Sequence, residues 1–252
     1  MKHLALTIVA ALVLGLVPYS VQAQSSANVS LDSMTVAQLE AAGDTARGQK
    51  DFYMAEKYFQ KAISKDRKNS VLYNKLGLTQ LKDNDMQAAR VNFQKAVKYN
   101  SKYADALNNL GAVDYMQKNF GSAAKQFKKA VALEETRATF HVNLGAAWFG
   151  QKKLERAINE YARALELDPN SLVSSSRTGV AAQISSPEER AKYSYMLAKI
   201  YAKRGDVDRC LECLRTAKEE GYRDLANVYR DEEFAGLRND SRLSEVVPPP
   251  VK

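Results

Sequence analysis

Residues 138–171 read ATFHVNLGAAWFGQKKLERAINEYARALELDPNS. Apolar and small residues recur there with helical period in two segments, separated by the polar residues Gln151-Lys152-Lys153. Gly145 lies in the first segment, whereas Ala157, Tyr161 and Ala164 lie in the second. Small residues allow two helix backbones to approach closely, and the Tyr161 ring can fill the wedge beside them. The stretch therefore predicts a hairpin of two helices.

These four positions recur three more times upstream, always with a period of 34 residues. The columns are Gly43, Gly77, Gly111 and Gly145; Ala55, Ala89, Ala123 and Ala157; Phe59, Phe93, Phe127 and Tyr161; and Ala62, Ala96, Ala130 and Ala164. A single hairpin cannot cover its own apolar face, so hairpins with this period are expected to stack on one another.

The pattern resembles the tetratricopeptide repeat. Within residues 138–171 the resemblance is carried by Leu144, Gly145, Trp148, Ala157, Tyr161, Ala164 and Pro169. It covers roughly residues 36–218 and implies an all-α solenoid of about five helix hairpins, wound as a right-handed superhelix with a concave groove. It also implies a protein that holds other proteins or peptides rather than one that catalyses a reaction.

The period breaks after the fourth hairpin. Residues 34–170 account for four tandem hairpins, and the Ser-rich residues 171–186 form a predicted insertion, either a plain connecting loop or a flap across the groove. Ser186, Pro187 and Glu189 then carry the signature of a helix N-terminus. Residues 187–220 are therefore predicted to form the fifth hairpin.

The C-terminal part is predicted to close the stack. Gly221 has the position of a left-handed helix cap, and residues 221–247 scatter apolar side chains among charges, as short capping helices do. The Pro-rich residues 248–252 end all helix.

The N-terminus predicts a secretory signal peptide in residues 1–23. Lys2 precedes the uncharged, mostly apolar run Leu4 to Val17, and Val21-Gln22-Ala23 ends in the small-residue pattern of a cleavage site. The run is short for a membrane anchor, which is the alternative. Residues 24–33 are expected to be a flexible lead-in. We therefore expect a secreted protein, periplasmic or extracellular after cleavage near Ala23.

Composition excludes some classes of protein and leaves the partner open. The 252 residues are 45% apolar and 26% charged, which rules out collagen-like, disulfide-dense and wholly disordered chains. The net charge of +8 favours anionic surroundings without choosing among nucleic acid, membrane and acidic protein. An extracytoplasmic location argues against a nucleic-acid partner.

No constellation of residues points to catalysis, a cofactor or a metal. Beyond the predicted signal, His141 is the single histidine, and we expect it to be structural. Cys210 and Cys213 form a CxxC pattern, but thiols at this helical spacing do not favour a relaxed disulfide, and no further zinc ligands are close in sequence. A packing role is the leading interpretation, with redox and metal roles as alternatives.

Helical geometry predicts which side chains line the concave groove. The predicted peptide-binding residues are Asn74, Lys75, Asn108, Asn109, Tyr115, Met116, Asn143 and Phe149. Asn109 and Asn143 lie one repeat apart and resemble the asparagine ladder of some peptide-holding members of the family; alternatively, such residues bridge repeats. Lysines towards both ends are expected to make those ends cationic.

The leading hypothesis is a non-catalytic adaptor that holds peptide or protein segments in its groove, within an envelope-associated assembly. The alternative is a cationic protein that contacts anionic lipid or polysaccharide through its convex face, with Lys125, Lys128 and Lys129 as examples. The sequence specifies neither the identity of the partner nor an oligomeric state.

Overall fold

The computed structural model describes residues 30–172 and 186–250. These residues form helices and no strand. The helices are α1 (Val36–Gly48), α2 (Phe52–Lys65), α3 (Ser70–Lys82), α4 (Met86–Tyr99), α5 (Ala104–Met116), α6 (Phe120–Leu133), α7 (Ala138–Gly150), α8 (Leu154–Leu167), α9 (Pro187–Lys203), α10 (Val207–Glu219) and α11 (Ser241–Val246), with 3-10 helices at Leu225–Tyr229 and Glu232–Leu237. The predicted signal peptide and most of the lead-in and insertion lie outside the described residues.

Consecutive helices pack as hairpins, from α1 with α2 to α9 with α10. In the first four hairpins the glycine of the first helix lies directly under the aromatic ring of the second. A Cβ atom on Gly77 would lie 2.7 Å from Phe93 Cε1, and one on Gly145 would lie 3.0 Å from Tyr161 Cδ1. These rings are fully buried. The glycine column is thus required because no side chain fits between the helices.

The turn inside each hairpin uses a left-handed backbone. Lys50, Asn84, Lys118 and Lys152 have φ between 60° and 64° and are spaced by one repeat, and Gly205 takes the equivalent place with φ 73°. The amide of the residue after each of these positions bonds back to the end of the first helix, as Asn119 N does to Asp114 O at 2.9 Å. One turn geometry therefore serves all five hairpins.

The predicted fold class is confirmed as an all-α solenoid of five helix hairpins with short capping helices. Both predicted helix signals are also confirmed. Ser186 Oγ accepts from Glu189 N at 3.1 Å at the start of α9, and Gly221 has φ 81° just after α10. Tyr222 N bonds back to Ala217 O at 2.8 Å, which closes the C-terminal cap.

The fifth hairpin joins the stack in the opposite direction from the others. In the regular part, the Gln151 side chain beyond the end of α7 donates to Phe120 O at the start of α6, so these helices run antiparallel. In contrast, the start of α9 lies beside Leu154 at the start of α8, and Arg204 beyond the end of α9 donates to Leu165 O near the end of α8. Helices α8 and α9 are therefore parallel.

The C-terminal segment covers the last hairpin. Val228, Phe234, Leu237, Leu243 and Val246 are buried against it. The Tyr195 ring of α9 stacks on Tyr222 at 4.3 Å, and its hydroxyl donates to Asp231 at 2.9 Å. This packing closes the apolar end of the stack.

None of the helices in the described ranges combines the length and the apolar character that a membrane span requires. Ser171 and Leu172, which the sequence analysis assigns to the insertion, have helical backbone and are buried, and Leu172 packs into the core.

Candidate functional site

The first helices of successive hairpins, α1, α3, α5 and α7, are neighbours. The sequence predicts that they line the concave side of the superhelix, and we therefore call this surface the concave face. Side chains link them at one repeating register. Lys75 Nζ contacts Glu40 Oε1 at 2.6 Å, Asn109 Nδ2 donates to Asn74 Oδ1 at 2.9 Å, and Asn143 Nδ2 donates to Asn108 Oδ1 at 2.8 Å. Each pair is 35 residues apart in sequence. We call this series the inter-repeat ladder.

The ladder uses only part of the hydrogen-bonding capacity of its asparagines. Asn74 is buried, and its amide nitrogen also donates to the Tyr103 hydroxyl at 3.3 Å. Asn109 and Asn143 are half-buried, and their Oδ1 atoms accept no hydrogen bond from any residue that the structure describes. The Nδ2 groups of Asn109 and Asn143 thus bridge repeats, as the alternative interpretation expects. Their Oδ1 atoms can still accept hydrogen bonds from a ligand.

The expected cationic ends of the groove are largely neutralised by ion pairs. Lys75 also contacts Asp44 at 2.5 Å; burial lowers the pKa of Lys75, but its hydrogen bonds to Asp44 and Glu40 outweigh this and raise it. At the other end, Lys199 contacts Asp231 at 2.9 Å and Glu233 at 3.4 Å. The acidic partners of Lys199 come from the C-terminal cap, whose position helix periodicity cannot predict.

A cavity of about 490 Å³ opens where the concave face meets the reversed fifth hairpin. The ends of α5 and α7, the starts of α6 and α8, and the first turns of α9 enclose it. We call it the junction cavity, and its walls are Tyr115, Met116, Lys118, Phe120, Phe149, Gly150, Lys152, Leu154, Ser186, Glu188, Glu189 and Lys192.

Aromatic packing fixes the floor of the junction cavity. Tyr115 meets Phe120 edge-on at 5.1 Å, and Phe149 meets Tyr193 of α9 at 5.5 Å. Gly150 is essential to this arrangement because a Cβ there would lie 2.6 Å from Phe120 Cδ1. Ring contacts therefore hold Tyr115, Phe120 and Phe149 in the apolar wall, whereas the side chain of Leu154 is 47% exposed.

The rim of the cavity carries charges of both signs. Lys118 and Lys152 lie on the turns, and Glu188 and Lys192 form an ion pair of 2.8 Å on α9. Burial, with a smaller contribution from Glu189, raises the pKa of Tyr115 to about 12, so its hydroxyl stays protonated. The site offers an apolar interior with polar groups at its mouth, which is the usual design of a recognition pocket.

Three of the eight predicted groove residues, Tyr115, Met116 and Phe149, line the junction cavity. Asn74, Lys75, Asn108, Asn109 and Asn143 instead form the ladder. Sequence reasoning missed Phe120, Leu154 and Glu189. Phe120 and Leu154 hold the same repeat position, each two residues after a turn lysine with left-handed backbone. This recurrence of an apolar residue beside the turn could have identified both from the sequence.

The other chemically notable residues belong to the packing. His141 is 5% exposed, and its two ring nitrogens contact Glu160 Oε2 at 2.7 Å and Glu135 O at 2.9 Å. Cys210 is buried and Cys213 half-buried, both as free thiols, and burial raises the pKa of each to about 12. Over the described ranges, no group of three or more potential metal ligands occurs.

Comparison with known proteins bears on the fold and the family. Solved structures similar to this chain include PilF of Pseudomonas aeruginosa (TM-score 0.55, 19% identity, covering 85% of this chain and 93% of that one) and MamA of Desulfovibrio magneticus RS-1 (0.54, 19%, 73% and 94%). A third is YrrB (0.53, 18%, 77% and 91%). At these identities the likeness concerns the fold. A search of curated proteins finds no match.

Family models give the assignment. Three models of the tetratricopeptide repeat match residues 74–135, 138–171 and 191–220. The third match covers the reversed hairpin, whose internal geometry follows the same pattern. On these matches, and on the hairpin packing described above, the chain belongs to the tetratricopeptide repeat family.

Proposed function

We propose that this chain is a non-catalytic scaffold that holds a peptide or protein segment on its concave face, with one large apolar side chain of that segment anchored in the junction cavity. The observation that carries the proposal is the cavity itself. Its volume of about 490 Å³ falls in the range of ligand pockets and exceeds the space that one side chain needs. The tetratricopeptide fold supports this class of function, as does the likeness to YrrB, a TPR protein described as having an unusual peptide-binding site.

The chemistry of the cavity favours an aromatic or long aliphatic anchor. Tyr115, Phe120 and Phe149 present ring edges and faces that pack well against another ring or a branched side chain. Interface affinity concentrates in such anchors when they enter a preformed pocket. Because the walls are already packed, little conformational entropy is lost when the pocket fills.

The ladder offers the segment a second kind of contact. The open Oδ1 atoms of Asn109 and Asn143 lie one repeat apart and can accept hydrogen bonds from backbone N–H groups regardless of sequence. Their donors are held by the preceding repeat, so the acceptors are oriented before a ligand arrives. Under this proposal, the cavity selects the side chain and the ladder holds the backbone.

The test is selection from a phage-displayed library of random 12-residue peptides on the chain from residue 24 onward. We expect the enriched peptides to share one Phe, Trp, Tyr, Leu or Met, and we expect Leu154→Glu to weaken binding of their synthetic versions at least about tenfold, or about 1.4 kcal/mol. Leu154 is the suitable position because it lines the cavity yet is 47% exposed, so its replacement leaves the core intact.

Leu133→Glu is the matched control. Leu133 is also a helical leucine, 40% exposed, but it lies outside the cavity. The proposal fails if no peptide is enriched, or if both variants weaken binding equally. Circular dichroism of both variants checks that the helical fold is retained.

We further propose that this scaffold acts outside the cytoplasm, in the periplasm or beyond it, within an envelope-associated assembly. The support is the sequence of residues 1–23, with Lys2, an apolar run to Val17 and the small-residue pattern before Gln24. Expression of the full chain in a bacterial host should release a product whose N-terminus is Gln24. Replacing Ala23 with Arg should block that processing, and an unprocessed wild-type chain in the cytoplasm would contradict the proposal.

A further inference from the structure

A second concave site, lined by different residues from the junction cavity, lies between α6 and the end of α7. Gly121, Ala124, Lys125, Lys128 and Lys129 lie along one side of α6, and Trp148, Gln151 and Lys153 face them from the next hairpin. The space they enclose is about 480 Å³. We call it the Trp148 cleft. Its floor is low because Gly121 and Ala124 have almost no side chain.

The preceding interface shows why this cleft is open. One repeat earlier, Arg90 stands in the place of Ala124, and Asp114 and Gln117 stand in the places of Trp148 and Gln151. Arg90 contacts Asp114 at 2.5 Å and also donates to Gln117, so it fills the space and is itself neutralised. At the Trp148 cleft, the position of Arg90 is taken by Ala124, whose small side chain leaves the space empty. The position of Asp114 is taken by Trp148, so the carboxylate that neutralises Arg90 has no equivalent here.

The cations around the Trp148 cleft have no anionic partner. Lys125, Lys128, Lys129 and Lys153 are exposed and form no ion pair within residues 30–172 and 186–250. No acidic side chain of those ranges lines the cleft. By contrast, Lys75, Lys192 and Lys199 each contact a carboxylate. The cleft therefore concentrates uncompensated positive charge around a concave surface.

Trp148 supplies an apolar surface at the centre of this charge. Lys153 Nζ and the Arg156 guanidinium each lie 5.0 Å from its ring centroid, and the ring is partly buried against the core. Cation–π contact holds these two cations near the ring rather than in bulk water. A ligand here meets an aromatic face and several cations together.

We propose that the Trp148 cleft binds a short acidic segment of a partner protein in extended conformation. Lys125, Lys128 and Lys129 extend over a rise of about 6 Å along the helix, which matches about two residues of an extended chain. The cleft thus accommodates two or three neighbouring Asp or Glu side chains. A recess of about 480 Å³ between two neighbouring hairpins suits a single chain segment better than it suits a bilayer, whose surface is broad. The Trp148 cleft and the junction cavity share no lining residue, so the binding proposed for one site can be disproved without disproving that proposed for the other.

Trp148 is the single tryptophan of the chain, so its fluorescence reports on this cleft directly. The experiment titrates the chain from residue 24 onward with hexaglutamate and hexaglutamine peptides, each with blocked termini, and with vesicles of phosphatidylglycerol and phosphatidylcholine. We expect hexaglutamate to change the Trp148 emission and hexaglutamine to leave it unchanged. Raising NaCl from about 50 to about 500 mM should weaken hexaglutamate binding at least about tenfold.

Two variants of equal charge separate this cleft from the general field of the protein. Lys125→Gln/Lys128→Gln/Lys129→Gln should weaken hexaglutamate binding at least about tenfold. Lys68→Gln/Lys98→Gln/Lys102→Gln removes three exposed lysines elsewhere and should change it less than about twofold.

The proposal is overturned if hexaglutamate leaves the Trp148 emission unchanged or if both triple variants weaken binding equally. It is also overturned if only the anionic vesicles alter the emission, which would assign the cleft to a lipid surface. Circular dichroism confirms that each triple variant is folded before it is compared.

Discussion

Asn143 donates a hydrogen bond from Nδ2 to Oδ1 of Asn108 at 2.8 Å, across the boundary between two repeats. Asn109 and Asn74 repeat the contact one hairpin earlier, and Lys75 and Glu40 place an ion pair at the same register before that. In a solenoid, stability is the sum of the repeats and of their interfaces, so a contact that recurs at each boundary acts on the coupling between repeats.

Replacing Asn143 with Ala should therefore destabilise the chain. Loss of the hydrogen bond is expected to lower the free energy of unfolding by about 1 kcal/mol relative to the control variant, measured by urea denaturation. Asn159→Ala is the matched control, because Asn159 is exposed on α8 and its replacement carries the same gain in helix propensity. Equal changes in the two variants would show that the inter-repeat bond contributes nothing.

Replacing a glycine with alanine should change stability in opposite directions inside and outside the glycine column. A Cβ on Gly111 would lie 2.7 Å from Phe127 Cε1, so Gly111→Ala should cost about 1–3 kcal/mol of stability. Gly121 also lies in a helix, but a Cβ there would have no atom within 4 Å, and Gly121→Ala should stabilise by up to about 1 kcal/mol. Thermal unfolding followed by circular dichroism measures both.

A second variant shows whether the Gly111 effect comes from the ring. Phe127→Leu shortens the side chain that the new methyl group of Gly111→Ala would meet. Gly111→Ala should therefore cost less stability in the Phe127→Leu background than in the wild type. If Gly111→Ala instead stabilises as Gly121→Ala does, the close approach of α5 and α6 is not tight.

The left-handed turn residues predict a stabilising substitution. Lys50 has φ 63°, a conformation that costs a residue with a Cβ about 1–2 kcal/mol, whereas glycine adopts it freely. Since glycine also loses more backbone entropy on folding, Lys50→Gly should gain no more than about 1 kcal/mol in urea denaturation. Lys57→Gly, inside α2, should lose about 1 kcal/mol. A loss at both positions would mean that the turn imposes no strain.

The cysteines predict a stability change at alkaline pH. Burial raises the pKa of Cys210 and Cys213 to about 12, above the value of about 8.5 for an unfolded thiol. The folded chain thus binds more protons than the unfolded chain between these pH values. The contribution of the two thiols to stability is therefore fully present below about pH 8.5 and is lost as the pH rises towards 12. Urea denaturation from about pH 8 to about pH 11 should show a smaller loss in Cys210→Ala/Cys213→Ala than in the wild type.

Alkylation tests the same burial at one pH. At about pH 8, iodoacetamide should modify the two thiols only slowly in the folded chain and rapidly in urea, because the thiolate is the reactive form. Rapid modification of the folded chain would favour the redox interpretation over packing.

The 34-residue period by itself determined the repeat family and the register of the first four hairpins. It did so because each column meets a steric requirement within one hairpin. Gly111 leaves room for the Phe127 ring, and Ala123 lets the two helices approach closely. These steric requirements recur in each of the first four hairpins, so the sequence shows them as a repeat. The caps at Ser186 and Gly221 are equally local, and both were predictable from residue type.

Only the tertiary structure decided where the candidate sites lie. Helix periodicity placed Tyr115, Met116 and Phe149 on the concave side, but the reversed entry of α9 brings Glu189 to them and encloses a cavity. The Trp148 cleft also depends on a departure from the repeat, since the small side chain of Ala124 leaves open the space that Arg90 fills one repeat earlier. Both sites arise where the repetition is broken, and the shape of a break depends on contacts between residues far apart in the chain, which no local pattern encodes.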